Sequence, residues 1–254
     1  MSRHPYLEHD GPIAFAHRGG HDVAPENTLA AFGHAASLGY RYLETDAHRT
    51  VDGVLVSFHD PDLNRTCGID ANIVEMTAAE VAEARVLDPR GEGHPIPLMA
   101  DLFESFPEAR FNIDAKSDEA VEPLADLVRR FDALDRVCLA SFKLSRLRRL
   151  RSLLGPRLLT NISPSEVSAL RTVGRLRGNA PRAAQVPPSM KGIDVVNARF
   201  VANAHRIGLP VHVWTINERA EIERLLDLGV DGIMTDETEL LRDIMIERGT
   251  WRAV

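Results

Sequence analysis

The stretch YLETDAHRTVDGVLVSFHD, residues 42–60, decides how the rest of the chain is counted. It holds two extended, apolar-rich runs, 42–46 and 54–59, separated by a turn around Asp52-Gly53. An Asp-Gly pair between such runs is a hairpin signature, because glycine supplies the left-handed backbone the turn requires. A parallel return would need a crossover of a dozen or more residues, so 54–59 must run antiparallel to 42–46. The second run therefore leaves the main sheet and opens an excursion, assigned to about residues 47–109. Its remainder, EMTAAEVAEARVLDPRGEGHPIPLMADLFESF, reads as short helices and a Pro/Gly loop.

With the excursion set aside, eight strand-like runs remain: 13–16, 42–46, 111–115, 137–141, 158–162, 194–197, 211–216 and 232–235. Most are followed by amphipathic stretches. Asn27-Thr28 can cap a helix through Leu38, with Leu29, Phe32 and Ala36 on one side and Gly39 as its stop. NERAEIERLLDLG repeats the pattern, with Ile222, Leu225, Leu226 and Leu228 facing inward. Residues 178–191, GNAPRAAQVPPSMK, read as a Pro-rich loop between strands. Short strands alternating with helices imply parallel pairing and right-handed crossovers. The expectation is an α/β fold, a (β/α)8 TIM barrel forming one domain over 1–254, with a small insertion after the second strand. A chain of 254 residues is the usual size for such a barrel.

Composition narrows the function. A formal charge of −7 argues against a nucleic-acid partner, whose affinity comes mainly from a basic face. It leaves room for a small anionic substrate held by a local cluster of cations or a metal. The two isolated cysteines, Cys67 and Cys138, read as reduced thiols of a cytoplasmic protein. No apolar run reaches the length of a membrane span, and the first residues lack the apolar region of a secretory signal.

In a barrel of this class the chemistry lies at the C-terminal ends of the strands. Those ends carry His17-Arg18, Glu44-Thr45-Asp46, Asp114-Ala115-Lys116, Trp214 and Asp236. Glu44 and Asp46 stand two apart on a strand and so share a face. Two carboxylates on an interior face are costly without a partner. A hard divalent cation would supply one, with Asp114 as a third oxygen ligand from the next strand. The alternative is ion pairing to Arg18 and Lys116. His59 faces Glu44 if the hairpin is centred between Val51 and Asp52, and Asp46 if it is centred on Asp52-Gly53. An intermediate register with a bulge would blur that placement. Histidine is the usual proton carrier near neutral pH, and Arg18 and Lys116 suit phosphate oxygens. Two histidines, a metal and two cations around one pocket suit phosphodiester cleavage. Glu26 reads as a residue of the first helix start or an orienter of Arg18, and residues 63–66 as an anchor for the excursion. Arg146, Arg148, Arg149 and Arg151 read as a solvated basic face, with an anionic-lipid surface as the alternative.

The segments AHRGG…APENTLAAF, ETDAHRTVDGVLVSFHD and NIDAK, with VHVWTIN and DGIMTD later in the chain, resemble the glycerophosphodiester phosphodiesterase family from Ala16 to Asp236. The resemblance implies a TIM barrel with a small insertion and hydrolysis of glycerophosphodiesters to sn-glycerol 3-phosphate and an alcohol. It implies His17 and His59 as the acid/base pair and Glu44, Asp46 and Asp114 as ligands of one divalent cation, Mg2+ or Ca2+, with Mn2+ as a further candidate. Arg18 and Lys116 would bind phosphate, and Phe142 and Trp214 would line the glycerol side. The chain departs from the pattern at Asp114, where the family more often has glutamate. Rival readings are a lysophospholipase D-type enzyme, a non-catalytic phosphodiester- or metal-binding barrel, and a metal-dependent aldolase or lyase. The first needs an apolar lip, for which the excursion offers Val81, Val86, Leu87 and Ile96.

Overall fold

The computed structural model describes residues 4–21, 23–178, 180–190 and 192–253. Its centre is a closed parallel barrel of eight strands: β1 (Ile13–Ala16), β2 (Tyr42–Arg49), β3 (Arg110–Ala115), β4 (Val137–Ala140), β5 (Leu159–Asn161), β6 (Arg182–Val186), β7 (Val211–Val213) and β8 (Gly232–Thr235). β8 pairs with β1, and β1 with β2, which closes the ring. The surrounding helices are α1 (Leu29–Ser37), α2 (Met99–Ser105), α3 (Val121–Arg130), α4 (Leu144–Leu154), α5 (Pro164–Val173), α6 (Ala198–Arg206), α7 (Arg219–Leu228) and α8 (Thr238–Glu247).

Alternation along the strands sorts the side chains. Leu43, Phe111, Ile113 and Leu139 point outward and join Phe32, Leu102, Phe103, Leu124 and Leu150 of the helices in the main hydrophobic cluster. Ile13, Phe15, Tyr42, Cys138, Leu159 and Met234 fill the inside with Tyr6 and Leu7. Those last two come from the short 3-10 turn Pro5–Leu7, which plugs the N-terminal end of the barrel. Arg110 fixes the plug: its Nη1 donates to the Tyr6 and Glu8 carbonyls and to the Tyr42 hydroxyl.

Two assignments need correction. The sixth strand is Arg182–Val186, inside the stretch read as a Pro-rich loop, and not 194–197. Ile193–Asp194 forms only a two-residue antiparallel pair with Ser189–Met190. Val195 and Val196 are buried, so their apolarity serves packing without a place in the barrel ladder. The buried side of α1 is Ala31, Phe32 and Ala35; Leu29 and Ala36 are exposed. Thr28 is the N-cap of that helix, its Oγ1 accepting the Ala31 amide, and Gly39 follows its end with φ of 95°.

β2 overruns the barrel. Its start pairs with β1, and its end, Ala47–Arg49, pairs antiparallel with Leu55–Ser57. The segment beyond folds over a small core of its own: Val56, Phe58, Leu63, Ile73, Val81, Val86 and Ile96.

Candidate active site

His17 follows the last residue of β1, and the register decides its neighbours. Ala16 pairs with Thr235 on one side and Leu43 on the other, which puts His17 between Asp236 and Glu44. Its Nδ1 donates to Asp236 Oδ1 at 2.6 Å, and its Nε2 stands 3.8 Å from Glu44 Oε2. Arg18 adopts the left-handed region (φ 52°, ψ 27°), uncommon for a residue with a side chain. In that conformation its amide donates to Glu44 Oε2 at 3.0 Å and its carbonyl accepts the Asn27 amide at 2.8 Å. Its guanidinium reaches Glu26 at 3.0 Å and Asp46 at 3.4 Å. Gly20 is required here: its φ is 81°, and a Cβ would stand 2.6 Å from Thr238 Cγ2.

β2 and β3 supply the acids. In their parallel register Glu44 pairs with Asn112 and Asp46 with Asp114. The Lys116 ammonium lies between two of them, 2.8 Å from Asp46 Oδ1 and 2.9 Å from Asp114 Oδ2. Asn27 Nδ2 donates to the other Asp46 oxygen at 3.0 Å. Below them Gln185 of β6 reaches across the barrel and donates to Asn112 Oδ1 at 2.8 Å, giving the site a polar floor.

His59 arrives through the intermediate hairpin register. Ala47 pairs with Ser57, so His59 is directly opposite neither Glu44 nor Asp46. The ladder ends at Ser57, and the ring is not turned away. The His59 carbonyl accepts His48 Nε2 at 3.0 Å, and its Nδ1 donates to Asp60 Oδ1 at 2.6 Å. His17, Arg18, Glu44, Asp46, His59, Asp114, Lys116, Phe142 and Trp214 line one cavity at the C-terminal mouth. Phe142 and Trp214 meet edge to face with centroids 5.9 Å apart. Ile162, Val167, Val186, Pro187 and Met190 extend an apolar wall beyond them.

Burial and close charges set the electrostatics. Burial, then the neighbouring Asp46 carboxylate, pushes Glu44 up to about 7. Burial also pushes Asp46 up, but Lys116, Arg18 and His59 outweigh it and hold it below the ordinary carboxylate value. Burial lowers His17, yet Glu44 and Asp236 outweigh it, so the ring titrates above its ordinary value. Asp236 is buried, which alone would raise it, but His17, His21 and Asn217 hold it far below. An ionised Asp236 can only accept, which fixes the His17 proton on Nδ1 and turns Nε2 toward the cavity.

The donor set fits a hard divalent cation. Asp114 Oδ1 is buried and accepts no hydrogen bond, and Glu44 and Asp46 are carboxylates forced together in the interior. The ion pairs of Asp46 with Arg18 and Lys116 are present as well, so the two readings of these acids coexist. Among the described residues only Asp88, Glu92 and His94 have donor atoms all within 4.8 Å of one another; those of Glu44, Asp46 and Asp114 stand farther apart. The closer group sits on the excursion, where Asp88 Oδ1 caps its own turn by accepting the Arg90 and Glu92 amides.

The sequence named the end of β8 near Asp236 but gave the residue no partner; the β8–β1 pairing of a closed barrel would have supplied His17. Asn27, Asp60, Asn112 and Gln185 also escaped. Of these, only Asn112 carried a signal, a polar residue two before Asp114 on a strand. Glu26 does hold Arg18. On α4, Arg146 and Arg149 pair with Asp118 and Glu122.

A parallel barrel that gathers two histidines, two fixed cations and three carboxylates at its C-terminal mouth defines an enzyme of the phosphoester hydrolase class. Residues 17–240 match the Glycerophosphoryl diester phosphodiesterase family, and the chain belongs to it. It is 36% identical over 255 residues to a protein of Mycobacterium tuberculosis strain H37Rv named "Probable glycerophosphodiester phosphodiesterase 2", covering 97% of this chain and 95% of that one. It is 28% identical over 267 residues to the Homo sapiens protein named Lysophospholipase D GDPD1, covering 91% and 85%. Among solved structures, a glycerophosphodiester phosphodiesterase of Agrobacterium tumefaciens has the same fold, with TM-score 0.75, 24% identity and coverage of 91% and 98%. An Oleispira antarctica phosphodiesterase in complex with the product sn-glycerol-3-phosphate superposes with TM-score 0.79 at 22% identity, covering 93% and 97%. The chain is a hydrolase of glycerophosphodiesters.

Proposed function

We propose that His17 and His59 are the proton carriers of this hydrolysis, which releases sn-glycerol 3-phosphate and an alcohol, with Arg18 and Lys116 holding the phosphate. One observation carries the assignment. Each ring has its Nδ1 bound to an aspartate at 2.6 Å, His17 to Asp236 and His59 to Asp60, and both reach one cavity. Held in that way, each presents Nε2 to a substrate. One histidine takes the proton of the attacking hydroxyl as its oxygen bonds to phosphorus. The other gives a proton to the alcohol oxygen as its bond to phosphorus breaks. The attacking hydroxyl is that of water or of the neighbouring glycerol carbon, in which case water opens the cyclic phosphate afterwards. Arg18 and Lys116 balance the phosphate charge throughout.

Glu44, Asp46 and Asp114 are the residues that would hold one divalent cation, Mg2+ or Ca2+ and otherwise Mn2+. Bound there, the cation would supply charge neutralisation and polarisation at the phosphate. Phe142 and Trp214 would face the glycerol carbons. Among the described residues no helix is long and apolar enough to cross a membrane. Two buried, free thiols support a place in the cytoplasm. The test is glycerol 3-phosphate release from glycerophosphocholine: His17→Ala and His59→Ala should each abolish it, and release by either variant at the native rate refutes the assignment.

A second reading, hydrolysis of lysophospholipids, is favoured by the apolar wall of Ile162, Val167, Val186, Pro187 and Met190. The excursion does not supply that lip. Val81, Val86 and Ile96 are consumed in its own core, and only Leu87 is exposed. Comparing glycerophosphocholine with its acylated analogue decides between the two.

A further inference from the structure

A single side chain of the excursion ties together two groups of the proposed site. Arg65 lies on the one-turn helix Asn64–Cys67, anchored by the fully buried Leu63 before it. Its guanidinium grips Glu26 with both terminal nitrogens, Nη2 to Oε1 at 2.6 Å and Nη1 to Oε2 at 3.0 Å. The same Glu26 Oε1 accepts Arg18 Nη1 at 3.0 Å. The remaining nitrogen of Arg65, Nε, donates to Asp60 Oδ2 at 2.5 Å, and the other Asp60 oxygen accepts His59 Nδ1 at 2.6 Å. The chain of contacts is unbroken from Arg18 through Glu26, Arg65 and Asp60 to His59. Three nitrogens of one planar group reach two carboxylates, a geometry open to arginine and closed to lysine.

We propose that Arg65 is a positioning residue that sets Arg18 and His59 relative to each other. Arg18 belongs to the barrel and His59 to the hairpin, and besides β2 their backbones are linked through Asn27, whose amide bonds the Arg18 carbonyl and whose oxygens accept Ser57 Oγ; neither route fixes the two side chains. Without Arg65, Glu26 and Asp60 would each be free to swing toward solvent with the group they hold. Burial pushes Glu26 up, but Arg65 and Arg18 outweigh it and keep it ionised, as an acceptor for both guanidiniums. Fixing a phosphate-binding group and a proton carrier in one frame is what a phosphodiesterase needs, since a misplacement of about 1 Å costs on the order of 10²-fold in rate. The inference rests on the roles proposed above for Arg18 and His59.

The test is steady-state hydrolysis of glycerophosphocholine by Arg65→Met, Arg65→Lys, Glu26→Gln and Asp60→Asn, each checked for folding by circular dichroism. Arg65→Met should raise KM and lower kcat, each roughly tenfold, as loss of an outer supporting contact typically does. Arg65→Lys should recover less than half of that loss. Glu26→Gln should act mainly on KM, through Arg18, and Asp60→Asn mainly on kcat, through His59. Because Arg65 is half exposed, methylguanidinium added to Arg65→Ala should restore kcat, which a purely structural role would not allow. Folded Arg65→Met with kcat and KM both near native would overturn the proposal, provided His59→Ala is inactive. An active His59→Ala would instead overturn the site assignment beneath it. If Arg65→Met does not fold, unchanged kcat in Asp60→Asn together with unchanged KM in Glu26→Gln overturns the coupling.

Discussion

Asp236 and His17 meet at 2.6 Å across the seam where the last barrel strand closes on the first. They are 219 positions apart, and the parallel pairing of Ala16 with Thr235 makes them neighbours. Asp236 Oδ2 is held in turn by Asn217 Nδ2 at 2.8 Å. The carboxylate is therefore fixed before it fixes the ring. Asp236→Asn keeps the shape but can offer an N–H where His17 needs an acceptor. We expect kcat for glycerophosphocholine to fall on the order of 10²-fold with KM changed far less. A kcat within a factor of three of native would show that the ring is oriented by something else.

The acids of β2 and β3 predict a metal response that can be read without turnover. A ligand that binds only the folded state raises stability, by about 2.7 kcal/mol at a hundredfold excess over its Kd. For a chain of this size that corresponds to a rise in Tm of roughly 5 °C. Melting after EDTA treatment and again with Mg2+, Ca2+ or Mn2+ should show the rise with at least one ion. Asp114→Asn should diminish it. No shift with any of the three would remove these residues from metal binding.

Glu26 gives the pH dependence of stability a definite sign. Burial raises it, but Arg65 and Arg18 outweigh that and hold it below its ordinary value of 4.5. A carboxylate depressed in the folded state contributes stability that is fully present above its unfolded value and lost as pH falls through the folded one. Native protein should thus melt higher than Glu26→Gln at pH 7. The gap should close as the pH is brought well below 4.5. A gap that persists unchanged in acid would mean that the ion pairs are not its source.

Arg110 separates stability from activity. It is buried at the plugged end of the barrel, and its Nη1 serves the Tyr6 and Glu8 carbonyls and the Tyr42 hydroxyl. Arg110→Met removes one donor from each of these acceptors, the Tyr6 carbonyl keeping the Tyr42 hydroxyl at 2.7 Å, at a cost of roughly 1–3 kcal/mol where a buried group loses a hydrogen bond. Urea unfolding should show that loss while kcat at 25 °C stays near native. A fall in kcat matching that of the catalytic variants would mean that the two ends of the barrel are coupled.

The residues show why much of the fold could be read in advance. Seven of the eight barrel strands lie in apolar or β-branched runs that sequence alone exposes. β6 does not: Arg182–Val186 is RAAQV, flanked by Pro181 and Pro187. Two alanines and a glutamine have little strand preference, and the segment is extended because β5 and β7 pair with it from both sides. The run at 194–197 misled for the opposite reason, since Val195 and Val196 are buried by packing alone. Glu44, Asp46 and Asp114 were legible because a strand's period of two and its C-terminal end are local facts. The aspartates behind the histidines differ. Asp60 depends on a side-chain conformation, and Asp236 on ring closure, which no local pattern records.

The turn after β2 holds a restriction on how chains of this kind can change length. Thr50 and Val54 bond to each other through their backbones, Thr50 Oγ1 donates to Asp52 Oδ1 at 2.6 Å, and Asp52 Oδ1 also accepts the Ala78 amide. One residue inserted or deleted there would exchange the two faces of the returning strand, because side chains alternate. Val56 would leave the excursion's core, and His59 would approach the mouth from the wrong side of its own backbone. Residues 50–54 thus behave as a fixed spacer, a ruler whose length is set by where a proton must be delivered.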